Sequence, residues 1–261
     1  MTEPSDLSYS VPPVHRAIAV LQYIADGNRC QNTSTSARAL TINRTTLMRL
    51  LHTLADERLI QPLEAGGGYQ LGPRLISLAA HALNDINIVQ IARPVLRKLA
   101  HSLNLSAHLG LLDRMEIVYL VREAPNSHLV SNVREGTRLP AHATTIGRIL
   151  LGQMDGEALA RLYKGFEFPA ATPKTRTSLA SLAEQISADR QAGIAWSLSN
   201  FETGIGSAAV VVLDHRGDAA GAINVTGHES QFEPHSARSM LIETELKAAA
   251  QTISAALGFQ P

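Results

Sequence analysis

The stretch NRTTLMRLLHTLADERL, Asn43 to Leu59, places Leu47, Leu50, Leu51 and Leu54 at helical spacing and sets Thr45, Arg49 and His52 along another face. Asn43 is a good N-cap, because its side-chain oxygen accepts a bond from one of the first free backbone N–H groups. The result is a helix with an apolar back and a basic, hydroxyl-bearing front. Such a front suits phosphates and base edges: arginine offers a planar fork of donors, and threonine a hydroxyl plus a methyl. An ordinary amphipathic surface helix reads the same way, so the neighbouring sequence decides.

Upstream, only Thr41 and Ile42 separate this helix from a short one expected over Thr35 to Leu40, capped by Thr33 or Ser34. Two short helices so joined cross steeply and present the second outward, the geometry of a helix-turn-helix. Before them, Pro13 starts a helix with Val14, Ala17, Ile18, Leu21, Ile24 and Ala25 on one apolar face. Downstream, Leu59 to Pro62 and Tyr69 to Leu71 read as strands around a tip from Leu63 to Gly68. Three helices and a small hairpin make a winged helix-turn-helix. Gly66, Gly67 and Gly68 either let the wing approach a phosphate or simply make a tight hairpin.

The chain of 261 residues is long enough for one large or two ordinary domains, and 45% apolar with 18% charged residues is a soluble globular composition. No apolar run reaches the length of a membrane span, and the polar N-terminus lacks the pattern of a signal peptide, so a cytoplasmic location is expected with no membrane partner. Cys30 is the only cysteine, which excludes an internal disulfide and a cysteine-built zinc site. The net charge is zero. From Gly27 to Ala55, however, there are four arginines (Arg29, Arg38, Arg44, Arg49) and no acidic residue. The positive field is local to the opening stretch.

Beyond Gly72 and Pro73, Arg74 to Leu83 reads as an amphipathic connector helix, with a fourth helix of the first domain as its alternative. Ile88 to Leu103 reads as a longer helix. From Ser106 the period becomes extended: Ala107 to Leu112, Ile117 to Arg122 and His128 to Val133 read as strands. Leu139 to Ala143 reads as a loop feeding a helix over Thr144 to Gln153, with further helices over Gly156 to Lys164 and Ser178 to Ala192. Strands follow at Ser207 to Leu213 and Gly221 to Thr226, and a final helix over Pro234 to Leu257. An antiparallel sheet with helices against it is an α+β, sensor-like domain.

VHRAIAVLQYIAD, ARALTINRTTLMRLLHTLADERLI and GGGYQLGPRLISLA resemble the winged helix-turn-helix of IclR-type bacterial transcription regulators. RLPAHATTIGRILL and GIGSAAVVVLDHRGDAAGAINVTG resemble that family's effector-binding domain. The likeness runs over nearly the whole chain after Pro13. It implies a flexible arm over 1–12, a winged helix-turn-helix over 13–72, a linker helix over 73–86 and a GAF-like effector-binding domain over 87–261. It also implies a homodimer or homotetramer that binds double-stranded operator DNA and a small molecule, often a carboxylic or aromatic acid, with no cofactor. By matching position, Arg44, Thr45, Thr46, Arg49 and His52 fall at the DNA, with Arg38 and the wing near the backbone. The effector pocket would draw on Leu129, Leu139, Thr145, Ile146, Ser197, Ile205, Ser207, Asn224 and Thr226. This chain departs from the family pattern in three places. Thr41 stands where the turn normally carries glycine. Ser197, Leu198, Ser199 and Asn200 are neutral where acidic residues are usual, and Thr145 and Ile146 replace small residues. The pocket is therefore expected to be narrower and differently polar.

A two-fold dimer would present two such helices about 34 Å apart or a multiple of that, which implies a palindromic site. Thr144 and Thr145 at a helix start would favour an anionic head group, or would merely cap the helix. Asn224 and Thr226 share one strand face, where inward polar groups need partners. His108, His128 and His142 lie near the expected pocket without metal-ligand spacing, and His142 is expected to orient its loop by hydrogen bonding. Trp196 is expected in the core or the pocket wall. The leading reading is a ligand-responsive transcriptional regulator, acting as a repressor of a catabolic operon. The alternatives are a small-molecule hydrolase or other enzyme on the C-terminal domain, and a winged helix that binds protein. Against an enzyme, the sequence shows no nucleophile elbow, phosphate loop or metal pair.

Overall fold

A computed structural model of the chain describes residues 10–84, 87–125 and 133–260. They form two compact units, the second beginning at Asn87. The chain is mixed α and β, and both of its sheets are antiparallel.

In the first unit, α1 (Pro12–Ala25) begins with proline, whose missing N–H costs nothing there. Helix α2 (Thr33–Ala39) starts two residues earlier than the pattern of its apolar residues indicates, because Asn32 is the cap: its side chain accepts from the Ser34 and Thr35 amides. Helix α3 (Arg44–Asp56) is capped as expected by Asn43, whose Oδ1 accepts from the Thr46 amide at 2.7 Å. Val20, Ile24, Cys30, Ala37, Leu47, Leu51, Leu54 and Ile60 form the core of this unit. The apolar face expected for α1 divides: Ile24 is buried with Val20, while Val14 and Ile18 are exposed. Strands β1 (Ile60–Pro62) and β2 (Tyr69–Leu71) pair around a 3₁₀ turn, and α4 (Pro73–Asn84) follows.

Two backbone positions explain this unit's local geometry. Thr41 adopts φ +54°. It occupies the residue after α2, where the Ile42 amide reaches back to the Ala37 carbonyl at 3.0 Å and the Thr41 amide to Arg38 at 3.1 Å. That pair of bonds is a Schellman ending, which places one residue in the left-handed region and normally gives it to glycine. A β-branched residue there stores strain. Thr41→Gly is expected to raise the unfolding free energy by about 1 kcal/mol, since left-handed relief exceeds the entropy added to the unfolded chain. Equilibrium urea unfolding checks it: an unmoved or lowered midpoint would mean that no strain is stored. Gly68, at φ +85°, settles the role of the glycine-rich tip at that position. A Cβ there would lie 2.0 Å from the Arg29 carbonyl oxygen. The close approach is thus internal, and the Tyr69 amide donates to the same carbonyl at 2.7 Å.

The second unit is built on a six-stranded sheet in the order β5-β4-β3-β8-β7-β6. Its strands are β3 (Ser106–Asp113), β4 (Glu116–Glu123), β5 (Arg138–Pro140), β6 (Ala195–Leu198), β7 (Ile205–Leu213) and β8 (Ala219–His228). Helices α5 (Asn87–Leu103) and α9 (Ala237–Ala256) cover one face, and α6 (Thr145–Leu151) covers the other, flanked by α8 (Leu179–Ala192). Helix α7 (Gly156–Leu162) packs with the aromatic cluster beside α6. Two short strands were not expected from the pattern. Arg138–Pro140 pairs with β4 where a loop was anticipated, and Ala195–Leu198 pairs with β7. Each has only three or four residues, too few for alternation to register. The strand expected over His128 to Val133 lies mostly outside the described residues. Edge strand β6 is covered rather than left open. The Arg148 guanidinium donates to the Trp196 carbonyl at 2.5 Å, and the Thr172 hydroxyl to that of Ser199 at 2.7 Å.

Candidate functional site

On α3 the outward stripe consists of Thr45, Met48, Arg49 and His52, all exposed. Met48 was missed from the sequence because an apolar residue on a polar face reads as part of the back. Arg44 opens the helix beside α2, its Nε donating to Thr33 Oγ1 at 3.2 Å. Arg38 is exposed on α2, and its Nε points back to the Ser34 carbonyl at 3.4 Å. Thr46 differs from the expectation: it turns toward α1 and lines a groove with Val14, Ile18 and Arg49. Its position one step round the helix from Thr45 accounts for this. His52 Nδ1 lies 2.9 Å from Asp56 Oδ2, one turn on.

In the second unit, Leu139, Thr145, Ser197, Ile205, Ser207, Asn224 and Thr226 surround one cavity, together with Tyr119, Val133, Ala143, Thr144, Phe201 and Glu202. Sequence register explains the convergence. Ser197 pairs with Ser207, and Ser207 with Thr226, across three adjacent strands; Asn224 stands two residues from Thr226 on the same face. Leu129 lies outside the described residues. Ile146 does not line the cavity: it is fully buried and its side chain packs over Gly110, so it fills core instead of narrowing the pocket.

Thr144 caps α6 by accepting from the Gly147 amide at 3.1 Å. The helix has seven residues, too short to build an anion site from its dipole, and capping is the role its threonine performs. Thr145 instead starts a buried polar chain. Its Oγ1 lies 2.7 Å from Ser207 Oγ, the Asn224 amide donates to that same oxygen at 3.2 Å, and His108 Nδ1 lies 2.9 Å from Asn224 Oδ1. Because the Asn224 amide donates to Ser207, its Oδ1 accepts from His108. The imidazole therefore carries its proton on Nδ1 and keeps a lone pair on Nε2, a tautomer assigned by the network.

Burial pushes the His108 imidazole down to about 4. A folded-state value below the ordinary 6.5 means that the unfolded chain takes up the proton first. The stability this neutral histidine contributes is thus intact above pH 6.5 and lost as pH falls toward 4. The loss is expected to be on the order of 3 kcal/mol, and His108→Gln should remove most of that slope. Denaturation at pH 7 and pH 5 reads it directly; equal slopes in the two proteins would assign the titration elsewhere.

His142 is buried in a different environment, ringed by Phe166 and Phe168 at 5.6 and 5.5 Å, with Nε2 3.4 Å from the Pro169 carbonyl. That bond is long, so aromatic packing does more than hydrogen bonding to hold it. His128 lies outside the described residues. Trp196 is half-buried, edge-on to Phe232 at 6.4 Å, and lines a wider concavity of about 750 Å³ with Lys174, Arg176 and His235. This groove is larger than the cavity above, at about 60 Å³. The smaller one is nevertheless the better binding candidate, since it alone is lined by buried polar atoms left without partners.

A family profile described as "Bacterial transcriptional regulator IclR C-terminal" matches residues 80–255. Over its length the chain is similar to the HTH-type transcriptional regulator XynR of Escherichia coli K12, 27% identical over 95% of this chain and 98% of that one. It is also similar to the Pca regulon regulatory protein of Pseudomonas putida, 30% identical over 82% of this chain and 73% of that one. A crystal structure of an IclR homologue from Microbacterium hydrocarbonoxydans, complexed with 4-hydroxybenzoate, shares the fold at a TM-score of 0.80, with 21% identity over 94% of this chain and 98% of the other.

Proposed function

From the membership of this chain in the IclR family of bacterial transcriptional regulators, we infer that its two units divide the work of DNA binding and ligand sensing. The chain is a transcriptional regulator, not an enzyme. The first unit acts as a winged helix-turn-helix with α3 in the major groove, Arg44, Thr45, Arg49 and His52 toward the bases and phosphates, and Arg38 and the wing along the backbone. The second unit is the GAF-like sensor, and its buried cavity takes a small organic effector, with repression of a catabolic operon relieved on binding. The 4-hydroxybenzoate held by the Microbacterium homologue supports an aromatic, polar ligand.

The observation that carries this reading is the exposed stripe of Thr45, Arg49 and His52 on a capped helix, in a stretch with four arginines and no acid. Val11, Val14 and Ile18 on α1 and Ile76 and Leu78 on α4 are exposed, and a second copy of the chain is the partner that would cover them. A two-fold pair then reads a palindromic operator. A mobility shift with DNA upstream of the gene and its neighbours tests the whole: a discrete complex that responds to salt supports it, and failure of every fragment at low salt would sink it.

The cavity is about 60 Å³, room for some two waters at roughly 30 Å³ each, whereas ligand sites run from about 300 Å³ upward. Effector binding therefore opens it, displacing half-buried Phe201 and the turn that carries Glu202. An opening of this kind is the structural change a sensor needs, because a ligand shifts an equilibrium only by binding one state better.

A further inference from the structure

We propose that the effector is a small ring compound bearing hydroxyl groups, and that its hydroxyl end, rather than any carboxylate it carries, lies against the sheet. The inference rests on the sensor reading of the same cavity and concerns what that cavity recognises.

Strand pairing sets Ser106 opposite Thr226, Thr226 opposite Ser207 and Ser207 opposite Ser197. Four hydroxyls thus stand in one row across β3, β8, β7 and β6, with neighbours about 4.8 Å apart in the strand-to-strand direction. A row of serines and threonines alone says little. Here, however, Thr226 Oγ1 and Ser106 Oγ are both buried and have no hydrogen-bond partner among the described residues. Thr226 lines the cavity, beside Ser207 and Asn224. A native fold seldom leaves such groups unpaired, and a ligand that hydrogen-bonds to them is the economical explanation.

The bonding capacities decide the ligand's chemistry. A hydroxyl donates one bond and accepts others, and the Glu202 carboxylate on the same cavity wall only accepts. A ligand carboxylate offers acceptors alone and would meet Glu202 with like charge. A ligand hydroxyl both donates and accepts, so it complements Thr226 and Glu202 alike. Tyr119, Val133, Leu139, Phe201 and Ile205 supply the apolar walls for a ring.

The test exploits opposite signs. Thr226→Val removes an unpaired buried hydroxyl while keeping the β-branched shape, so the ligand-free protein should melt at the same temperature or higher. The same change should weaken the ligand. Calorimetric titration of the full chain with benzoate, phenol, catechol and 3,4-dihydroxybenzoate is expected to show 3,4-dihydroxybenzoate binding at least tenfold tighter than benzoate, with catechol keeping most of that advantage. Thr226→Val should erase the hydroxyl advantage and leave benzoate unchanged, and Thr226→Ser should restore it. Benzoate binding as tightly as its dihydroxy analogue would overturn the proposal. So would a hydroxyl advantage that survives Thr226→Val, or no heat from any member at millimolar concentration. The regulator reading is judged apart from all of these, by a mobility shift that contains no added compound.

Discussion

Arg148→Ala is expected to destabilise the second unit by about 3 to 5 kcal/mol, the cost of leaving a buried charge without its partner. Arg148 sits on α6 with 1% of its side chain exposed. Its Nε donates to Asp189 Oδ2 at 2.8 Å, and another nitrogen of the same fork donates to the Trp196 carbonyl. Asp189, on α8, is completed by the Gln185 amide at 3.0 Å. One planar guanidinium thus ties α6, α8 and the edge strand β6 together. Lysine offers a point charge and no fork, so Arg148→Lys should recover only part of the loss. Alanine strands the Asp189 carboxylate and uncovers the Trp196 carbonyl at the same time. The paired change Arg148→Met with Asp189→Leu removes both charges and should cost far less than Arg148→Ala alone, because desolvating an ion pair offsets much of its attraction. Guanidinium unfolding of the two singles and the double gives the coupling directly. A loss below about 1 kcal/mol for Arg148→Ala would show that water reaches the site and that the pair is not a structural anchor.

That anchor was invisible in the sequence, and the reason is instructive. Arg148 lies in a run, RLPAHATTIGRILL, that reads as a helix, and an arginine there looks like its solvated face. Only the packing of α8 on α6, a contact between residues 41 apart, shows it to be buried. The helices of the first unit were legible because caps and apolar spacing are local: Asn43 and the leucines of α3 fall where spacing puts them. The cap of α2 was misplaced because Asn32, Thr33 and Ser34 are all competent caps, and no local rule chooses among them. Strand β6 was missed because four residues carry too little pattern, although it supplies Ser197 to the cavity and Trp196 to the neighbouring groove. The cavity residues came from resemblance to a family, and register explains why seven of them converge: Ser197, Ser207, Thr226 and Asn224 are neighbours through pairing, which no single strand reveals. Ile146 shows the limit of that borrowing. Its neighbour Thr145 faces the cavity, and one residue along a helix is enough to turn a side chain into the core. Thr41 marks a different limit, since the turn keeps its left-handed residue even where the sequence supplies an unfavourable one.

Arg44→Ala combined with Arg49→Ala is expected to weaken operator binding by about 2 to 6 kcal/mol, hence at least about 30-fold, if each arginine forks onto a guanine. The structure places the two differently. Arg49 stands on the exposed stripe beside Thr45 and His52, where it can reach a base edge. Arg44 opens the helix with its Nε already bonded to Thr33, which favours a phosphate contact held in place by α2. The single variants should therefore separate. Arg49→Ala should relax discrimination at one operator position and leave the salt dependence nearly unchanged, whereas Arg44→Ala should weaken all sequences alike and lower the salt slope by about one. Fluorescence anisotropy at several salt concentrations, with the operator and a scrambled duplex, distinguishes the two. Arg161→Ala serves as the control, because Arg161 is exposed on α7 of the other unit and pairs only with Glu157 one turn away among the described residues. The double variant should retain its helical circular dichroism, since neither arginine contributes to the core of α3. Undiminished binding by a folded double variant would remove α3 from the DNA and reassign the basic stretch to another partner.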